Sequence, residues 1–190
     1  MTSNVYEWIK KEESRREILM TIKQRLTGKQ IGIRTGIPMD TCSYVVAKLV
    51  TRGLLTCLNP EARNSRLYWL TDLGIQCRKR LHRGLALTYE EYDLPNIDWS
   101  LYGWTCFSHR SIVMKTLTAP MQPSEIKRTI RKKKTGMKIS ANNIRDVVKL
   151  LLEKGIVQKV YVRKKAHPKY ELTDSGNQFR ELLIQSEMTF

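Results

Sequence analysis

Two stretches of the sequence are dense in cations, and a pair of amides stands between them. Lys127, Arg128, Arg131, Lys132, Lys133, Lys134 and Lys138 precede Asn142 and Asn143; Arg145 and Lys149 follow, and then Arg163, Lys164, Lys165 and Lys169. Ammonium and guanidinium groups clustered in this way neutralise phosphates and release their counterions. A carboxamide can make two hydrogen bonds to an adenine edge in a duplex major groove. Asparagine is equally suited to the start of a helix, whose free N–H groups it caps, and the sequence leaves both roles open. A thinner set lies nearer the N-terminus: Thr41, Ser43, Tyr44 and Lys48, then Arg63 and Arg66, interrupted by Asp40 and Glu61. Asp40 repels phosphate, so this set is the less persuasive of the two for contact with nucleic acid.

Catalytic chemistry finds no comparable footing. His82, His109 and His167 are scattered, without a nearby cysteine or carboxylate pattern that would bind a metal or activate a nucleophile. "TGK" at 27–29 lacks the upstream glycine spacing of a phosphate-binding loop. Cys42, Cys57, Cys77 and Cys106 form no CxxC pair and read as reduced, mostly buried thiols. The expectation is a protein that is not an enzyme and carries neither metal nor cofactor.

The charge of the whole chain points the same way as the clusters. Lys and Arg number 34 against 18 Asp and Glu, a net charge of +16. Such an excess favours a polyanionic partner, double-stranded DNA ahead of an anionic membrane. No apolar run reaches the roughly 18 residues needed to span a bilayer. The first residues, "MTSNVYEWIKKEESRRE", are charged where a signal peptide needs an apolar stretch. A cytoplasmic, nucleoid-associated location is expected.

The elements that must hold these residues are written twice. "YWLTDLG" at 68–74 returns as "YELTDSG" at 170–176, an offset of 102. At the same offset Gly53 falls on Gly155, Val46 on Val148, Leu49 on Leu151, Cys42 on Ile144 and Cys77 on Phe179. Further upstream the second copy carries 7 extra residues, in "RKKKTGM" at 131–137, because Ile31 aligns with Ile126. Above the insertion "SRREILMTI" (14–22) resembles "SHRSIVMKT" (108–116). The duplication covers roughly 14–86 and 108–186.

In the second copy, Ile144, Val147, Val148, Leu151 and Leu152 recur at helical spacing, with Ser140 placed to cap the helix and Gly155 to end it. "IVQKVYV" then suits a strand, "RKKAHPK" a turn and "YEL" the returning strand. Thr173 and Asp174 suit the start of a further helix. Gly176 in that first turn is unfavourable by roughly 1 kcal/mol, which close approach to the hairpin would explain. Pro123 suits the first position of a shorter helix ahead of these.

The order helix, short helix, long helix, hairpin, helix is that of a winged helix-turn-helix, whose long helix enters a major groove. The fold class read from the sequence is mainly α with small β-hairpin wings (α+β), two such domains in tandem. They are expected at 1–86 and 108–190. An aromatic and acidic segment at 87–107 ("ALTYEEYDLPNIDWSLYGWTCF" with its preceding Ala86) is expected to pack between or against them. The alternative is an aromatic pocket for an effector.

The runs "PSEIKRTI…ISANNIRDVVKLLLEKGIV…YELTDSG" and "TGIPMDTCSYVVAKLVTRGLL…YWLTDLG" resemble the winged-helix domains of MarR, PadR and ArsR type transcriptional regulators. The resemblance implies sequence-selective binding of double-stranded DNA and transcriptional regulation. Winged helices also serve in protein contacts. The alternatives are therefore a tandem winged-helix scaffold subunit of a chromosome or transcription complex, or a plasmid or viral replication initiator. MarR-type regulators carry one winged helix per subunit and dimerise through terminal helices. Two unequal copies in one chain imply a monomer that is itself a pseudo-dimer, or a weak homodimer, with a possible protein partner through the first domain.

Overall fold

In the computed structural model the backbone is described for residues 2–82, 97–133, 137–161 and 167–188. The chain divides at Trp104 and Thr105 into two compact units. It is mainly helical with small antiparallel sheets.

The first unit runs α1 (Thr2–Lys10), α2 (Glu13–Thr21), β1 (Leu26–Thr27), α3 (Gly28–Thr35), α4 (Met39–Thr51), β2 (Leu55–Cys57), β3 (Leu67–Leu70), α5 (Asp72–Leu81) and α6 (Trp99–Thr105). Its sheet has the order β1-β3-β2, with Leu26 and Cys57 both opposite Tyr68. The core is made where helical periodicity demands it: Cys42, Val45, Val46 and Leu49 form the buried stripe of α4. They meet Ile18, Leu19, Ile31, Leu54, Leu55, Leu70 and Cys77 in one cluster.

The second unit runs α7 (Ser108–Thr116), α8 (Pro123–Lys132), α9 (Ala141–Glu153), β4 (Val157–Val160), β5 (Lys169–Leu172) and α10 (Asp174–Met188). Ile144, Val147, Val148 and Leu151 are the buried stripe of α9, the same positions as in α4 at the offset of 102. The β4–β5 hairpin pairs Val157 with Leu172 and Val160 with Lys169.

The repetition extends to single hydrogen bonds. Downstream of the insertion, Gly74 N–H donates to Thr71 Oγ1 at 3.1 Å and Gly176 N–H to Thr173 Oγ1 at 3.3 Å. The two threonine hydroxyls in turn donate to the Gly53 and Gly155 carbonyls. Gly53 and Gly155 end the long helices with φ of 70° and 68°, the left-handed region that favours glycine. Gly74 and Gly176 have no such need. A Cβ at either would lie less than 3.0 Å from a backbone carbonyl oxygen, that of Leu54 or Ile156. This close approach is why a residue unfavourable in a helix stands in the first turn twice.

Upstream the correspondence holds at an offset of 95. Thr27 and Gln30 form a capping box at the start of α3, and Gln122 and Glu125 form another at the start of α8. Leu26 pairs with Tyr68 in β1–β3, while Met121 and Tyr170 exchange two backbone hydrogen bonds of 2.9 Å as an isolated bridge. The insertion is partly helical. It carries α8 through Arg131 and Lys132, two residues longer than the eight of α3.

Three features of the first unit have no warning in the repeat. Helix α1 buries Ile9 and is held by stacked cations, with the Arg15 and Arg52 guanidiniums 3.9 and 4.3 Å from the Trp8 ring and Arg80 4.2 Å from Tyr6. Strand β1 is only two residues long. Of the aromatic segment, residues 97–107 are described, and α6 packs on its own unit. Tyr102 is buried against the edge of Trp99, and the Arg25 guanidinium lies over both Trp69 and Trp99, at 4.8 and 4.4 Å. Residues 87–96 of that segment lie outside the described residues.

Candidate nucleic-acid interface

Helix α8 separates its two characters cleanly. Ile126 and Ile130 are buried, and Lys127, Arg128, Arg131 and Lys132 take the other positions. With Ser124 these four cations line an open hollow of about 490 Å³. A second open hollow, about 280 Å³, shares Arg128 and Lys132 and is otherwise lined by Pro120, Met121, Glu125 and Thr129. Cations on so short a helix repel one another, and a multivalent anion in the hollow would relieve that repulsion.

Glu125 is the carboxylate within this cationic surface, and its bonds are specific. It accepts the Gln122 N–H at 2.7 Å and lies 3.7 Å from the Lys169 ammonium. The Gln122 N–H above all holds its carboxyl below the usual carboxylate range; burial opposes this, and Lys169 and then Arg128 add to the lowering. Lys169 is therefore tied to α8 at the turn end of the hairpin, opposite Val160. It is half-buried there, where the sequence suggests a free cation on the wing.

Helix α9 begins at the Ser140 cap, whose Oγ accepts the Asn143 N–H at 3.1 Å. Asn142 and Asn143 are both exposed in the first turn, and Asn142 Oδ1 accepts a hydrogen bond from Arg145 at 3.1 Å. Capping therefore falls to Ser140, and neither amide is needed for it. Lys149 is exposed and lies 3.9 Å from Glu153, a pair too open to solvent to hold it firmly. Lys133 and Lys138 are exposed at either end of 134–136. Lys134, and on the wing Arg163, Lys164 and Lys165, lie outside the described residues. Sequence reasoning passed over Lys159 and Tyr161, both exposed at the hairpin. Strand alternation assigns them to the same side as the buried Val157, but the core ends before it reaches them.

The corresponding surface of the first unit is of another kind. Thr41, Ser43, Tyr44 and Lys48 are exposed on α4, as are Arg63 and Arg66 between β2 and β3. At the offset of 102, however, Asn142 is replaced by Asp40, Asn143 by Thr41, Arg145 by Ser43 and Lys149 by Ala47. At the offset of 95, Arg128 is replaced by Ile33. Arg66 is turned onto its own loop, with Nε donating to the Ala62 carbonyl at 3.0 Å.

Among the described residues no group of three His, Cys, Asp or Glu is placed to hold a metal ion. The four cysteines are free thiols, and burial pushes those of Cys42 and Cys77 up from their ordinary value. Among the described residues no helix is long and apolar enough to cross a membrane. In comparisons with family models, curated proteins and solved structures, nothing matches the chain.

Proposed function

We propose that each unit is a winged helix-turn-helix domain, that the chain binds double-stranded DNA with sequence preference through its second unit, and that it serves as a transcriptional regulator. The observation that carries this reading is the α8–α9 surface. Four cations line one open hollow on α8, and the helix packed against it begins with two exposed asparagines that its cap leaves free. On this reading Lys127, Arg128, Arg131 and Lys132 hold phosphates and fix the register, while Asn142, Asn143 and Arg145 meet base edges. Glu125 and Lys169 hold the second strand of the hairpin against α8. The element order and the doubled junction motif support the domain assignment, as does the resemblance to MarR, PadR and ArsR type domains.

The test is the salt dependence of duplex binding, combined with selection of bound sequences from random DNA. With six or more phosphates neutralised, affinity falls on the order of 10³-fold between 50 and 200 mM salt. A flat response, or a selection that enriches no sequence, overturns the reading.

A further inference from the structure

We propose that the outer face of α4 in the first unit is a two-fold self-association surface, on which two copies of this chain pair α4 against α4 antiparallel. The inference stands without the DNA-binding reading. Tyr44 is 62% exposed, and Ile33 and Met39 on the same α3–α4 pair are 63% and 46% exposed. The Met39 sulfur packs against Gly32 of α3, where an added Cβ would lie 2.8 Å from it, so Met39 stands at the seam of α3 and α4 beside the residue that precedes Ile33. Large apolar groups grouped in this way mark contact sites.

The order of charges identifies the occupant. Asp40, Tyr44 and Lys48 follow one another at i, i+4 and i+8, so they form one row along α4. The row is negative at one end, aromatic in the middle and positive at the other, with its charges about 12 Å apart along the axis. A two-fold axis through Tyr44 places Asp40 against the partner's Lys48 and Lys48 against the partner's Asp40, while the two tyrosines meet at the centre. That is the self-complementarity an isologous contact requires. Among the described residues neither Asp40 nor Lys48 has an ion-pair partner. The Lys48 ammonium lies 5.4 Å from its own Tyr44 ring, which holds it along the row. The adjoining row, Ser43, Ala47 and Thr51, is exposed and small, which lets a second helix approach closely. The second unit has none of this, because its counterparts of Asp40, Tyr44 and Lys48 are Asn142, Asp146 and Leu150.

Sedimentation equilibrium of the full chain without DNA tests the proposal. At about 100 µM, where a contact of micromolar Kd is saturated, the wild type sediments at twice its 22.2 kDa. Asp40→Lys sets like charges together at both ends, as does Lys48→Asp, and each raises the dimer Kd on the order of tenfold or more. The swap Asp40→Lys with Lys48→Asp restores the dimer. An equimolar mixture of the two single variants pairs opposite charges again and associates more tightly than either variant does with itself. Should a reversal fail to fold, Tyr44→Ser carries the same test, since it empties the centre of the contact. A monomeric wild type overturns the proposal, as does a dimer indifferent to both reversals or one not restored by the swap.

Discussion

The Lys169 ammonium lies 3.7 Å from the Glu125 carboxylate, and this pair joins the second strand of the hairpin to the first turn of α8. Glu125 also closes the capping box on Gln122, so one carboxylate serves both the start of the helix and the second strand of the hairpin. Glu125→Gln keeps an acceptor for the Gln122 N–H and loses the charge. We expect its melting temperature to fall by about 2–4 °C at neutral pH. The sign of the pH dependence follows from the depressed carboxyl. The stabilisation is fully present above the unfolded value of about 4.3 and is lost as pH falls through the lower folded value. Thermal melts between neutral and acid pH will show the wild-type advantage over Glu125→Gln shrinking over that acid window. An advantage that persists below it removes the charge argument.

Gly74→Ala and Gly176→Ala will each be strongly destabilising, because the new methyl meets a backbone carbonyl oxygen that cannot turn aside. The helix start must move off the strand, breaking the Thr71 or Thr173 cap with it. Loss of about 2–3 kcal/mol in urea unfolding is expected, although alanine is the better helix former. Exposed Gln178→Ala in the same helix is the control and changes stability little. Any gain in stability at either glycine rejects the close-approach account.

Positioning and reading can be separated on the second unit. Arg131→Ala and Lys132→Ala should weaken binding to all duplexes alike, each making the salt slope shallower by about one unit. Asn142→Ala or Asn143→Ala should cost about 1–3 kcal/mol on the preferred sequence and little elsewhere. The Ser140 cap uses the Asn143 backbone rather than its side chain, so these variants should keep their melting temperature. If Arg131→Ala and Lys132→Ala instead abolish sequence preference alone, the two roles are assigned the wrong way round.

Much of this molecule was determined by the sequence alone, for reasons local to the chain. Helices α4 and α9 are legible because Cys42, Val45, Val46 and Leu49, like Ile144, Val147, Val148 and Leu151, repeat at helical spacing between a defined start and a left-handed glycine. The doubled Thr-Asp-x-Gly junction is legible because its cap and its close approach demand the same residues each time. The basic run at 127–133 marks a cationic surface wherever the chain places it. Tertiary structure decided what local spacing cannot express. Strand β1 and the Met121–Tyr170 bridge are too short to carry a period, and each exists only because a partner strand far along the chain offers its N–H and carbonyl groups. Lys169 reads as one more wing cation until the hairpin returns beside Glu125. Ile33 and Met39 are apolar, yet the fold leaves both exposed, as it does Tyr44. Periodicity marks which residues of a helix share a face, but only the packing of the remaining elements determines which face is covered.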